Sequence, residues 1–351
     1  MTGPILIVDD EPLNLAALEQ ILAGDYPLVF ARNGVEALVA AVKHIPSLIL
    51  LDIEMPDMDG YAVCRALKAD MRTEGIPVIF VTSHAEVGAE IGGFAVGAVD
   101  YIIKPASPAI VSARVRTHLS LVRTALLIES YHDAIYMLGE AGHYNDNDTG
   151  VHIWRMAAYS RAIAVACGWN TDACDRIELA APMHDTGKIG IADSVLKKPG
   201  KLDAAEWVLM KTHSRMGYDI LAKSRAPVFQ MAAEIALWHH ERWDGSGYPD
   251  GLAGDSIPES ARIVALADVY DALSMKRPYK DAWPHEHVIT TMQESSGGHF
   301  EPRLVEKFLS ILPQIRDIQA TWNARESVLP SHDLWHSLNS SRTTVSRDDR
   351  R

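Results

Sequence analysis

Cysteine is scarce in this chain of 351 residues, with only Cys64, Cys167 and Cys174, and their spacing suits neither a disulfide framework nor a CxxC zinc site. A reducing, cytoplasmic setting is therefore expected. Long apolar runs are also missing. No stretch approaches the roughly eighteen apolar residues that a membrane-spanning helix needs, and the opening MTGPILIVDD lacks the charged and long apolar regions of a signal peptide. Positive charge is in deficit, with 33 Lys+Arg against 46 Asp+Glu, so the summed field repels a phosphate backbone and DNA is not an expected partner. The hydrophobic share of 48% is nevertheless ample for a buried core, and the length suits about two domains. Histidine is the entry in excess, at 15 residues. It is the commonest metal ligand, so where these residues fall matters more than how many there are.

Up to about residue 120, short β-branched runs alternate with helix-length segments: ILIV at 5–8, PLVF at 27–30, SLILLD at 47–52, PVIFV at 77–81 and VDYII at 99–103. Near-continuous apolar strands separated by helices predict a parallel sheet covered on both faces. From Ser107, with Pro108 at the first helical position, a long helix is predicted to about Glu140. Val111, Val115, Leu119, Val122 and Leu126 form one apolar stripe on it, read first as core and second as the seam of a homodimer. Residues 141–325 read as all-helical. Beyond about 326 the Ser, Thr, Asp and Arg content predicts a mobile tail.

In an open doubly wound sheet, ligands bind beyond the carboxyl ends of the strands. Asp9 and Asp10 follow the first strand, Asp52 ends the third, Thr82 follows the fourth, and Lys104 follows the fifth with Pro105 behind it. In the flavodoxin-like order the first and third strands are neighbours. Three carboxylates then converge, an arrangement suited to Mg²⁺. Asp52 could attack a phosphoryl donor while Lys104 and Thr82 bind the phosphoryl oxygens. Any one of these residues alone would read as an ordinary polar cap; five in register do not. The strings VDDEP, LLDIEMPDMDG, FVTS and KP resemble the receiver domain of two-component response regulators. That resemblance implies phosphorylation of Asp52 by a histidine kinase, Mg²⁺ at Asp9 and Asp10, and a conformational switch through Thr82 and Tyr101.

The second constellation is His152, the pair His184 and Asp185, His213, the pair His239 and His240, and Asp268. Imidazoles and carboxylates without thiolate suit Fe, Mn, Ni or Zn. Seven candidate ligands exceed one tetrahedral site, and a carboxylate such as Asp185 can bridge two ions, which favours a binuclear site acting on a phosphoester. Lys188 stands three residues past Asp185, where an ammonium can meet an anionic substrate. His118, His132, His143, His285, His287, His299, His332 and His336 read as ordinary surface or core histidines.

The strings HDTGK, HHERWDGSGYP and ADVYDALSMKRPYK resemble the HD-GYP phosphodiesterases, a branch of the HD superfamily that hydrolyses cyclic di-GMP. The resemblance implies that the seven residues ligate metal, that Lys188 contacts the scissile phosphate, and that Arg277 and Lys280 grip phosphate and guanine. Gly247, Tyr248 and Pro249 form the loop that names the family. Some members place a Glu four residues before the first His to hold a third metal; here Asp148, one methylene shorter, stands there.

The expected architecture is a flavodoxin-like receiver at 1–122, a linker helix at 107–140, an all-α HD-superfamily domain at 141–325 and a tail at 326–351. The expected function is phosphorylation-regulated hydrolysis of cyclic di-GMP to linear pGpG, with onward hydrolysis to GMP left open by the short Asp148. The alternative is a weakly active sensor of cyclic di-GMP or pGpG that docks diguanylate cyclases.

Overall fold

The computed structural model describes residues 3–83, 94–143, 151–275 and 282–326. The expected tail, Asp148, Arg277 and Lys280 fall outside these segments. The chain forms two compact units, Met1–Ser130 and Tyr131–Arg351.

The first unit holds five parallel strands, β1 (Ile5–Val8), β2 (Leu28–Ala31), β3 (Leu48–Asp52), β4 (Val78–Thr82) and β5 (Asp100–Ile103), in the order β2-β1-β3-β4-β5. This is the flavodoxin-like order expected from the alternation of strands and helices. The central strands β1, β3 and β4 are buried along their whole length, which explains their unbroken apolar sequence. Helices Gly34–His44 and Gly60–Ala69 start where Asn33 and Asp59 accept hydrogen bonds from the backbone amides of Glu36 and Ala62. Because β1 and β3 lie side by side, Asp9 and Asp52 emerge together at the carboxyl edge.

One continuous helix runs from Pro108 to His143. Val111 and Val115 are buried against the sheet, and Leu119 packs on the same cluster. The apolar stripe is core that far, whereas Leu126 is exposed.

The second unit is helical, built on Val151–Ala166, Thr171–Ala180, Ala204–Leu221, Pro227–Trp238, Glu259–Ser274, His285–Glu294, Pro302–Ser310 and Leu312–Glu326. Its core includes Met156, Ile163, Ile177, Ile235, Leu266 and Phe308. The polar segment before Ala204 ends in a capping box, in which Asp203 and Glu206 each accept a backbone amide of the other. None of the described helices is long and apolar enough to cross a membrane.

Candidate functional site

His184 and Asp185 lie between two tight 3₁₀ turns, Ala181–Met183 and Thr186–Gly190. The second turn packs onto the helix Ala204–Leu221 with no room for a side chain: a Cβ on Gly187 would fall 1.8 Å from the carbonyl oxygen of His213. Glycine is required here, and the contact brings Asp185 against His213. His239 caps the helix Pro227–Trp238, His240 follows it, and His152 and Asp268 project from the facing helices Val151–Ala166 and Glu259–Ser274.

Asp185 is the hub. Its Oδ2 lies 3.2 Å from His184 Nε2, 2.7 Å from Lys188 Nζ and 3.6 Å from His143 Nε2. Its Oδ1 lies 3.3 Å from His213 Nε2 and 3.7 Å from His239 Nε2. The ligand atoms of Asp185, His213, His239 and His240 lie within 4.8 Å of one another, as do those of His143, His152 and His184. Two groups of imidazoles thus flank one carboxylate, each facing a different oxygen.

The outward nitrogens are fixed. Nδ1 of His184 donates to the Ala181 carbonyl at 3.0 Å, that of His213 to Met210 at 2.6 Å, and that of His239 to Ile235 and Ala236 at 3.1 Å. A carbonyl can only accept, so these Nδ1 atoms carry a proton and Nε2 is the nitrogen each ring would offer to a metal at the centre, although, against burial, the Asp185 carboxylate raises His184 toward its charged form. Asp185 Oδ1 and His239 Nε2 are buried without a hydrogen-bond partner. Neutral imidazole lone pairs around an orphaned carboxylate oxygen fit divalent metal ions. Burial, reinforced by the neighbouring His184, pushes His239 down to about 3, and burial keeps His213 and His240 low as well. Asp185 is held well below the usual carboxylate range, because Lys188 and His184 outweigh the opposing effect of burial.

His152 differs. Its Nδ1 lies 2.6 Å from Asp271 Oδ2 and its Nε2 3.4 Å from Asp268 Oδ1. Burial alone would disfavour a charged ring, but the two carboxylates outweigh it and raise His152 to about 10. A metal taking Nε2 must therefore expel a proton. Between pH 7 and 9 the apparent metal affinity of the metal-free protein should rise roughly tenfold per pH unit. Calorimetric titration in buffers of different ionisation enthalpy should show at least one proton released; uptake independent of pH would contradict the assignment.

The glycine-rich segment after His240 folds back over it. The Tyr248 amide donates to the His240 carbonyl at 3.2 Å, and the Tyr248 ring stacks on the imidazole at 4.6 Å between centroids. The buried Glu241 pins the loop by accepting the amides of Asp250 at 2.8 Å and Gly251 at 3.0 Å.

In the first unit, Lys104 Nζ bridges Asp9 Oδ2 at 2.8 Å and Asp52 Oδ2 at 2.9 Å. Ligand atoms of Asp9, Asp10 and Asp52 lie within 4.8 Å of one another. Burial pushes the Asp52 carboxyl up, partly offset by Lys104. Thr82 is buried at the end of β4. Tyr101 on β5 packs edge-on to Phe94, with the Arg114 guanidinium 5.6 Å from its ring centre.

The family model for the HD domain matches residues 127–304, and that for the response regulator receiver domain matches residues 5–116. The chain belongs to the HD-domain response regulators. It is 38% identical to a probable cyclic di-GMP phosphodiesterase of Vibrio cholerae, over 93% of this chain and 81% of that protein. It is 36% identical to the cyclic di-GMP phosphodiesterase response regulator RpfG of Xanthomonas campestris, over 90% of this chain and 89% of that one. A cyclic di-GMP phosphodiesterase of Thermotoga maritima is 34% identical, over 90% of this chain and 92% of its own length.

In this HD-domain response regulator, the structure brings together His152, His184, Asp185, Lys188, His213, His239, His240 and Asp268 around one centre, and Asp9, Asp10, Asp52 and Lys104 around another. Two residues of the HD centre escaped the sequence reading. Asp271 orients His152 and is itself gripped by Arg155. The available signal was spacing: His152 and Arg155, like Asp268 and Asp271, stand three apart on facing helices, one turn above each other. His143, read as an ordinary histidine, lies in the site. It stands nine residues before His152, two and a half helical turns away, so no helical periodicity connects them.

Proposed function

We propose that this HD-domain response regulator hydrolyses cyclic di-GMP to linear pGpG at a binuclear metal centre. The observation that carries the reading is the division of Asp185, with Oδ2 facing His184 and Oδ1 facing His213 and His239. His152, His184 and Asp268 would hold one ion, His213, His239 and His240 the other, and Asp185 would bridge them. Iron, manganese, nickel or zinc suits this donor set. When bound, such ions supply Lewis acidity toward a phosphodiester oxygen and lower the pKa of water.

The side chains do the rest. The Nδ1 hydrogen bonds to backbone carbonyls keep the imidazoles aimed, so little reorganisation is needed as charge develops. Lys188, with its side chain 17% exposed beside Asp185, would place an ammonium against the phosphate oxygens. Tyr248, stacked on His240, would wall the pocket, and burial raises its phenol so that it stays neutral. Arg277 and Lys280 would grip phosphate and guanine. Opening one phosphodiester of the ring gives the linear product.

We assign phosphoacceptance to residues 1–122, hydrolysis to 141–325 and their connection to the intervening helix. Asp52 would take a phosphoryl group from a histidine kinase, with Mg²⁺ at Asp9, Asp10 and Asp52 and with Lys104 on the phosphoryl oxygens. Thr82 and Tyr101 would report the change. Phosphorylation alters hydrolysis only as far as the two states of the receiver differ in their contacts. Asp52→Asn should eliminate labelling by acetyl phosphate; persistent labelling would place the acceptor elsewhere. For hydrolysis, metal-loaded protein incubated with cyclic di-GMP should release pGpG, and binding without turnover would indicate a sensor.

A further inference from the structure

His143 ends the helix Pro108–His143 and is 5% exposed. Its Nδ1 donates to the Gly139 carbonyl one turn earlier, at 3.1 Å, which leaves the Nε2 lone pair facing away from the helix. That Nε2 is buried with no hydrogen-bond partner, and it points toward Asp185 Oδ2 at 3.6 Å. The ring lies 5.1 Å from that of His184 and 6.2 Å from that of His152, centre to centre. An ion with bonds of about 2.1 Å draws its ligand atoms to within about 4 Å of one another. The ligand atoms of His143, His152 and His184 lie within 4.8 Å of one another, so shifts of no more than about an ångström bring them into that range.

The placement is built by backbone contact. A Cβ on Gly142 would come 3.0 Å from the Thr186 Cα, so the last turn of the helix lies directly on the segment that carries His184 and Asp185. Any larger residue before His143 would lift its ring off the centre.

We propose that His143 is a metal ligand, completing the coordination of the ion on the Oδ2 side of Asp185 together with His152 and His184. The proposal rests on the metal-dependent reading above. A further neutral imidazole on that ion favours borderline metals such as iron, zinc or cobalt over magnesium, which prefers oxygen.

The test uses the full chain, stripped of metal and titrated with Co²⁺. In the wild type, the imidazole N–H protons shifted by the paramagnetic ion should number six, from His143, His152, His184, His213, His239 and His240. Five would overturn the proposal. His143→Gln should lose one of these signals and weaken one of the two ions at least about tenfold. The ion held by His213, His239 and His240 should bind unchanged, which shows that the variant is folded. Unchanged affinity for both ions and an unchanged set of shifted protons would also overturn the proposal. His184→Ala separates the two levels. If His184→Ala loses metal while His143→Gln does not, only the role of His143 fails; if neither loses metal, the metal reading fails with it.

Discussion

Replacing Asp185 with Ala should abolish hydrolysis of cyclic di-GMP and strip metal from the protein. The expectation follows from position. Oδ2 and Oδ1 face separate groups of imidazoles, so in the proposed centre one truncation would remove a ligand from both ions. Six buried or half-buried histidines would then surround a centre whose bridging negative charge is gone, and neutral imidazoles bring no charge to offset that of two buried cations. Lewis-acid stabilisation in such sites is worth several kcal/mol, so turnover should fall at least about a thousandfold. Asp185→Asn, which keeps the shape and removes the charge, should lose metal as well. Elemental analysis of the purified variants and separation of reaction products check both effects.

A second large effect is expected at Asp271, where the cost falls on stability. Arg155 is 1% exposed, and its guanidinium holds both oxygens of Asp271, through Nε on Oδ1 and through Nη2 on Oδ2 at 2.7 Å. The same carboxylate accepts from His152 Nδ1 at 2.6 Å. Asp271→Ala takes from a buried guanidinium the carboxylate that grips it through two nitrogens, a loss of about 3–5 kcal/mol in comparable cases. Against a typical total of about 5–15 kcal/mol this is a large fraction. Pairing it with Arg155→Met removes the buried charge and should recover much of the loss. Metal affinity should not recover, because His152 has still lost the group that orients it, a change worth roughly tenfold to a hundredfold. Urea unfolding read beside metal titration separates the two roles. If the double variant stays as unstable as the single one, the buried charge is not the cause.

Much of this was legible in the sequence. Five apolar runs became five parallel strands because a sheet covered on both faces tolerates little else on its central strands. His184, His239 and His240 stood out because their motifs are compact and their residue types have few other uses in that pattern, whereas His213 entered only through the family resemblance. What was not legible is what tertiary packing creates. His143 enters the site because Gly142 lets the end of its helix close on Thr186, just as Gly187 lets the following turn close on His213, with no side chain between the backbones. Nothing in the local sequence reports the partner across such a contact. Asp271 was hidden for another reason. On a helix carrying Asp268 and several apolar residues it reads as a polar position, and only the facing helix shows that it is fully buried between Arg155 and His152. Glu241, which ties down the loop after His240 through backbone amides, is likewise defined by what folds back onto it.

The central claim is that metal held around Asp185 drives hydrolysis of a cyclic dinucleotide. The most direct measurement is product separation after incubating cyclic di-GMP with metal-free protein, with protein reloaded with Mn²⁺ or Fe²⁺, and with reloaded Asp185→Ala. The account predicts pGpG from the reloaded wild type alone. Turnover by the metal-free protein or by Asp185→Ala, or none by the wild type with both ions bound, would contradict it.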